Sequence, residues 1–111
     1  MEPTWIHGDL HPRNILVDRG RFSAVLDWGD VTRGDPATDL AAIWMLFPAH
    51  AHRQAVATYG PLSPAPLRRA RGWAVLFGVV LIDTGLVDDP RFAAVGRRTL
   101  SRIEGWAEPP R

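Results

Sequence analysis

The 111-residue sequence contains no lysine and no cysteine. All 13 of its basic side chains are therefore arginines. Without lysine there is no ammonium to clamp a nucleotide phosphate and no amine to form a Schiff base. Without cysteine, disulfides, thiolate metal sites and thiol nucleophiles are excluded. Net charge is scarce too. The formal value of +1 makes no case for a nucleic-acid partner or an anionic membrane surface. Long hydrophobic runs are also lacking. The most apolar stretch, Trp73 to Ile82, ends at Asp83. It falls short of the roughly 20 residues of a membrane-crossing helix and is read as a buried helix, with no membrane partner. The N-terminus opens with Glu2 and reaches polar residues at once, which is not the pattern of a signal peptide. The chain is therefore expected to be cytoplasmic. The sequence is 46% apolar and 23% charged, a balance that implies a folded globule rather than a charged disordered chain. At this length one domain with a modest core is expected.

The first forty residues are dense in Asp, Gly and His, with short apolar runs between. Ile15-Leu16-Val17 and Phe22 to Leu26 read as two strands, and Asp18-Arg19-Gly20-Arg21 as the tight turn joining them. That pairing puts Asn14 just before the first strand and Asp27 just after the second, at the same end of one hairpin. Pro36 opens a helix with Asp35 as its N-cap. It should run from Ala37 to about Phe47, with Leu40, Ile43, Trp44 and Phe47 on one face. Pro48 ends it. A short helix follows over 49–59, closed by Gly60-Pro61. A third is expected from Ala65 to Ile82, with Leu67, Ala70, Trp73, Ala74, Phe77 and Leu81 on one face and Val75, Val79 and Val80 filling much of the rest. It should be the most buried element. Asp89-Pro90 starts a last helix reaching about Trp106, before a Pro-rich tail.

His7-Gly8-Asp9-Leu10-His11-Pro12-Arg13-Asn14 is the most informative stretch. Its His-x-Asp-x4-Asn spacing matches the catalytic loop of protein kinases. Leu26-Asp27-Trp28-Gly29 stands where those kinases carry Asp-Phe-Gly. Phosphoryl transfer needs an acceptor held in line and cations shielding the phosphate oxygens. A carboxylate and an amide oxygen can together hold magnesium, and a second carboxylate can orient the acceptor hydroxyl. Asp27, Asn14 and Asp9 have the types and order those roles require.

The sequence resembles the aminoglycoside phosphotransferase family, which shares the protein-kinase-like fold. The family's His-Gly-Asp-Leu-His-x-x-Asn loop stands at His7 to Asn14, its Asp-Trp-Gly segment at Asp27 to Gly29, and its Gly-Asp-Pro-x-x-Asp-Leu-Ala segment at Gly34 to Ala41. The resemblance implies an α+β fold, a partial kinase-like C-terminal lobe in which a β hairpin is followed by about four helices. Residues 1–35 would form the catalytic loop and metal-binding hairpin, 36–106 a helical subdomain, and 107–111 a tail. It implies Asp9 as catalytic base and Asn14 and Asp27 as magnesium ligands. His7 and His11 would support the loop, and Asp30 would sit behind the ligands. Asp35 and Asp39 would tie the loop to the following helix. ATP and Mg2+ are the implied cofactors, and a small hydroxyl-bearing molecule the implied acceptor. The family's nucleotide lobe, with its phosphate-binding lysine, has no counterpart in these residues. The chain alone is therefore expected to be inactive or very weak, unless a partner chain or a homodimer completes it. Its acceptor could be an antibiotic or an ordinary metabolite. Asp83, Asp88, Asp89, Glu104 and Glu108 offer acid for a cationic acceptor, but arginines outnumber them there.

Three rival readings accompany this one. The chain could be a non-enzymatic remnant that self-associates through apolar surface stripped of its cover. It could be a metal-dependent hydrolase using Asp9 and Asp27. His7, Asp9 and His11 could hold zinc. His50 and His52 are expected to face solvent, as are two arginine clusters, Arg68, Arg69 and Arg71, and Arg97, Arg98 and Arg102. Among the tryptophans, Trp5, Trp44 and Trp73 are expected in the core, Trp28 beneath the metal-binding turn, and Trp106 partly exposed.

Overall fold

The computed structural model describes residues 2–106; the expected tail at 107–111 lies outside them. Strand β1 (Thr4–Ile6) leads into the 7–14 loop, which ends in a 3-10 turn over Pro12–Asn14. Strands β2 (Ile15–Asp18) and β3 (Arg21–Val25) form the expected antiparallel hairpin. Arg19 and Gly20 make its two-residue turn, both at positive φ, 51° and 76°. Such turns match the natural twist of paired strands. β4 (Thr32–Gly34) then returns to pair antiparallel with β1, Trp5 opposite Arg33. This second two-stranded sheet lies outside the sequence reading. Three-residue strands so far apart leave no periodic signal. The pairing clamps the base of everything between residues 6 and 32.

The helix expected over 37–47 is two pieces, α1 (Ala37–Leu40) and α2 (Ala42–Leu46), jointed at Ala41. A tighter bond at the joint, Trp44 N–H to Ala41 carbonyl at 3.2 Å, bends the helix there. A 3-10 turn over Ala49–Ala51 leads to α3 (His52–Tyr59), closed by Gly60 at φ 135°. α4 (Pro64–Val87) spans 24 residues and α5 (Pro90–Glu104) spans 15. Each starts on a proline, where the missing N–H costs nothing. Asp89 caps α5 by accepting from Arg91 N–H at 2.9 Å.

α1 and α2 supply most of the core. Leu40, Ile43, Trp44 and Met45 are buried, and Trp44 is wholly inaccessible. α4 and α5 pack along small residues: Gly85 meets Ala93, and Gly78 meets Gly96, while Ala70 and Ala74 are buried further along the same helix. α4 is therefore not the most buried element. Its inner face is made of the small residues, and Val75, Leu76, Val79 and Val80 point outward, each about half exposed. It also runs past Asp83, which is exposed on the outer face and does not stop it. By length and composition α4 suffices to cross a membrane, with 28% of its most apolar window buried. The ten-residue run read from the sequence underestimated it.

Several single-residue expectations need correction. Trp5 is 75% exposed, on the outer side of β1. Trp73 lies 37% exposed and stacks on Phe77 rather than entering the core. His52 is buried against Trp44 and Trp106 and donates from Nε2 to the Phe47 carbonyl at 2.7 Å. Arg102 does not face solvent as expected: its Nη1 donates to the carbonyls of Trp44 and Met45, both at 3.1 Å, satisfying the end of α2. Arg69 reaches across to Asp35 at 2.7 Å.

Candidate active site

The loop of residues 7–14 is set by hydrogen bonds from both directions. His7 is buried, and its two ring nitrogens are both engaged. Asp9 N–H donates to Nδ1 at 3.1 Å. The ring proton is thus on Nε2, which donates to the Leu26 carbonyl at 2.8 Å. His7 therefore ties the loop to the end of β3, and its ring has no lone pair left for zinc. Trp28 packs edge-on to the His7 ring at 4.7 Å. Although 54% exposed, Trp28 is fixed by its own indole N–H, which donates to the Val25 carbonyl.

From the other side, Asp39 on α1 accepts His7 N–H at 2.8 Å and Gly8 N–H at 3.0 Å, one on each carboxylate oxygen. Gly8 has φ 91° and leaves no room for a Cβ, which would lie 2.9 Å from the Asp30 carbonyl oxygen. Asp30 is thus the residue the loop packs against. Asp35 caps α1 by accepting Ala37 N–H at 3.0 Å, and Arg69 of α4 holds it. That guanidinium keeps the Asp35 carboxyl below the usual carboxylate range. Sequence reasoning left Arg69 on a solvent face, and no local pattern reveals a partner 34 residues away.

Asn14 is buried at the start of β2. Its amide nitrogen donates to the Asp9 carbonyl at 2.9 Å and to Asp9 Oδ2 at 3.3 Å. With the nitrogen so committed, the amide oxygen is the atom left for a cation. The Asn14 carbonyl accepts Leu26 N–H at 2.7 Å, and Ile15 pairs with Val25. Asn14 and Asp27 therefore stand at one end of the hairpin, as the spacing implied. Asp27 is exposed and holds φ 57°, a left-handed conformation that Asp tolerates better than most residues. Among the described residues no group of three or more His, Cys, Asp or Glu is arranged to hold a metal. A pair of oxygen donors, one amide and one carboxylate, suits magnesium, which keeps several waters and takes phosphate oxygens as further ligands.

His11 completes the loop. Arg13 N–H donates to its Nδ1, and its Nε2 lies 3.6 Å from Asp9 Oδ1. Burial holds this imidazole below its ordinary value, with the Asp9 charge acting the other way. The ring also packs on Phe92 of α5 at 6.0 Å, and the Arg13 guanidinium stands 5.3 Å from the same Phe92 ring. Between the loop and the helices lies a cavity of about 240 Å3, reached by Asp9, Leu10 and His11 on its loop side. Asp9 itself is 42% exposed.

The family model described as the phosphotransferase enzyme family matches residues 1–73. The chain is 46% identical over 43 residues to the uncharacterized protein YcbJ of Bacillus subtilis, covering 38% of this chain and 14% of that protein. It is 50% identical over 42 residues to viomycin phosphotransferase of Streptomyces vinaceus, covering 34% and 15%. Hygromycin-B 4-O-kinase of Escherichia coli aligns over 88 residues at 28% identity, covering 75% and 25%. The fold matches the crystal structure of a thermostable mutant of aminoglycoside phosphotransferase APH(4)-Ia, apo form, with a TM-score of 0.58 and 25% identity over 94% of this chain and 37% of that one. The chain spans a quarter or less of the length of these curated relatives.

Proposed function

The chain belongs to the phosphotransferase enzyme family, and on that premise we propose that it carries the acceptor-activating and metal-binding half of a small-molecule kinase site. Asp9 is proposed as the base that orients the acceptor hydroxyl. Asn14 and Asp27 are proposed to hold magnesium, which when bound shields the phosphate oxygens of ATP. In the transfer, the acceptor oxygen forms a bond to the γ-phosphorus. The bond from that phosphorus to its bridging oxygen breaks, ADP departs, and the acceptor proton passes to Asp9. His7 and Asp39 fix the loop backbone so that Asp9 meets the hydroxyl already oriented. His11 and Asp30 pack the loop from either side, and Asp35 anchors the helix that carries Asp39. The single observation carrying this reading is the hydrogen bond from the Asn14 amide to Asp9, which joins the two roles at the open end of one hairpin.

The sequence holds no lysine, so we infer that the nucleotide-binding part is contributed by polypeptide beyond these residues, in the same chain or a partner. Isolated, the chain is proposed to transfer phosphate weakly or not at all. Relatives named for hygromycin B and viomycin make antibiotics one acceptor class to test. A cytoplasmic setting fits the use of ATP. The test is a calorimetric titration of folded protein with ATP, with and without magnesium, alongside Asp27→Ala. Weak, magnesium-dependent binding that disappears in the variant is expected, since only the metal-holding part of the site is proposed to be present. Identical titrations of the two proteins would sink the assignment of Asp27. A second reading, self-association without catalysis, draws on the exposed Leu86 and Val87 at the end of α4, which are 69% and 83% accessible. A concentration-independent dimer in sedimentation with no ATP binding would favour it.

A further inference from the structure

The acceptor's chemistry is legible in the cavity beside Asp9. Its far walls come from Phe77, Val80, Leu81 and Thr84 of α4 and Phe92 of α5. Asp9 is the sole carboxylate among the residues lining it. Resting on the phosphoryl-transfer reading above, we propose that this cavity receives the uncharged, apolar body of an alcohol, and not a polyamine or amino sugar.

The argument is one of charge and of size. An ammonium placed among Phe77, Val80, Leu81 and Phe92 loses its hydration and gains no counter-charge there, which is costly. The one carboxylate lining it, Asp9, is needed for the reacting hydroxyl. Asp89, the N-cap of the helix that carries Phe92, is already taken: Arg91 donates to it from Nε at 3.1 Å and from Nη2 at 2.9 Å. Arg13 lies 3.9 Å from the same carboxylate. Arg13 also stands against the Phe92 ring, so the charge beside this wall residue is cationic. An apolar body loses nothing on entering and brings its hydroxyl to Asp9. The volume of about 240 Å3 exceeds that of an apolar cavity of about 150 Å3 that takes up benzene, so one ring with a short arm fits. A mostly apolar pocket with a few polar groups at one end is the usual form of a small-molecule site.

The experiment follows amide and methyl NMR shifts of the folded chain on titration with 2-phenylethanol and, separately, spermidine. Neither probe needs nucleotide, so the outcome is independent of ATP binding. 2-Phenylethanol is expected to saturate with shifts at Val80, Leu81, Thr84 and Phe92. Spermidine is expected to leave those signals unmoved. Val80→Asp, at a half-exposed wall position, should weaken 2-phenylethanol at least tenfold. Val79→Asp, equally exposed on the same helix but not lining the cavity, should leave its affinity unchanged. Saturable spermidine binding at these residues, absence of 2-phenylethanol shifts in folded protein, or equal affinity in both variants each overturns the proposal. Loss of magnesium-dependent ATP binding with 2-phenylethanol binding intact would instead count against the kinase reading alone.

Discussion

The same glycine-to-alanine change should act with opposite sign at two positions of one helix. Glycine inside a helix costs about 1 kcal/mol relative to alanine, so propensity alone favours both Gly72→Ala and Gly85→Ala. At Gly72 a Cβ meets nothing within 4 Å, and the variant should gain nearly the whole propensity term. At Gly85 a Cβ would lie inside van der Waals contact of the Ala93 backbone nitrogen, 2.7 Å from Ala93 Cβ and 2.8 Å from Ala93 Cα. Ordinary contacts begin near 3.4 Å, and these neighbours are mostly backbone, which cannot swing aside. The helices must part by more than half an ångström. A radial gap of about 0.5–1 Å forfeits a quarter to a half of each dispersion contact along the seam. Overpacking of this kind costs about 1–3 kcal/mol or more, which outweighs the propensity gain. The expected net loss is about 2 kcal/mol. With a urea m-value of about 1–2 kcal/mol/M, the unfolding midpoint should fall by about 1–2 M for Gly85→Ala. For Gly72→Ala it should rise by about 0.5–1 M. Equal signs in the two variants, measured by urea titration with circular dichroism, would refute the close α4–α5 seam.

Two further outcomes are expected. Asp39→Ala leaves the N–H groups of His7 and Gly8 without their acceptor. A hydrogen bond to a charged group contributes about 1.5–3 kcal/mol, so unfolding should be easier by at least about 2 kcal/mol. Hydrogen exchange at residues 7–9 should accelerate more than at α5, and uniform acceleration would count against a local clamp. Burial, reinforced by the nearby Arg102 charge, holds His52 below the ordinary imidazole value of about 6.5, against the opposing pull of the Phe47 carbonyl. The unfolded chain therefore binds more protons as pH falls through that value. Stability is full above it and declines below it. His52→Gln keeps a donor for Phe47 and should flatten the decline of the urea midpoint between pH 8 and pH 5; an unchanged slope would exclude His52 as its source.

The hairpin was legible because its signals are local: a tight turn with Gly20 between two short apolar runs. The end-to-end placement of Asn14 and Asp27 followed from that pairing. The β1–β4 sheet was not legible, since its partners are nearly thirty residues apart and each strand is three residues long. The reading of α4 failed for a different reason. Hydrophobic periodicity weights large residues, whereas the inner face of this helix depends on small ones. Leu67, Ala70, Ala74 and Leu81 were placed correctly, but Gly78 and Gly85 carry no hydrophobic signal. Trp73 and the valines were given to a core that has no space for them. His52 misled similarly: a histidine near a helix start looks solvated until Trp44, Trp106 and the Phe47 carbonyl are found around it.

The contacts that shape the 7–14 loop all come from within the described residues: Leu26 on His7, Asp39 on the loop backbone, Asp9 on Asn14 and Phe92 on His11. One comes from the end of the hairpin, one from within the loop itself, and two from the helices. The loop is thus braced by both halves of the fold. Positive charge is distributed differently. Arg13, Arg69 and Arg91 are each paired with an aspartate, and Arg102 is turned inward onto α2. A triphosphate arriving at Asn14 and Asp27 meets two oxygen donors and no free guanidinium among these four. On the proposed reading, its charge would be balanced by a metal held there and by cations outside this group. On the proposed phosphoryl-transfer reading, acceptor orientation would rest on residues of this chain, and nucleotide affinity would depend on further cations as well.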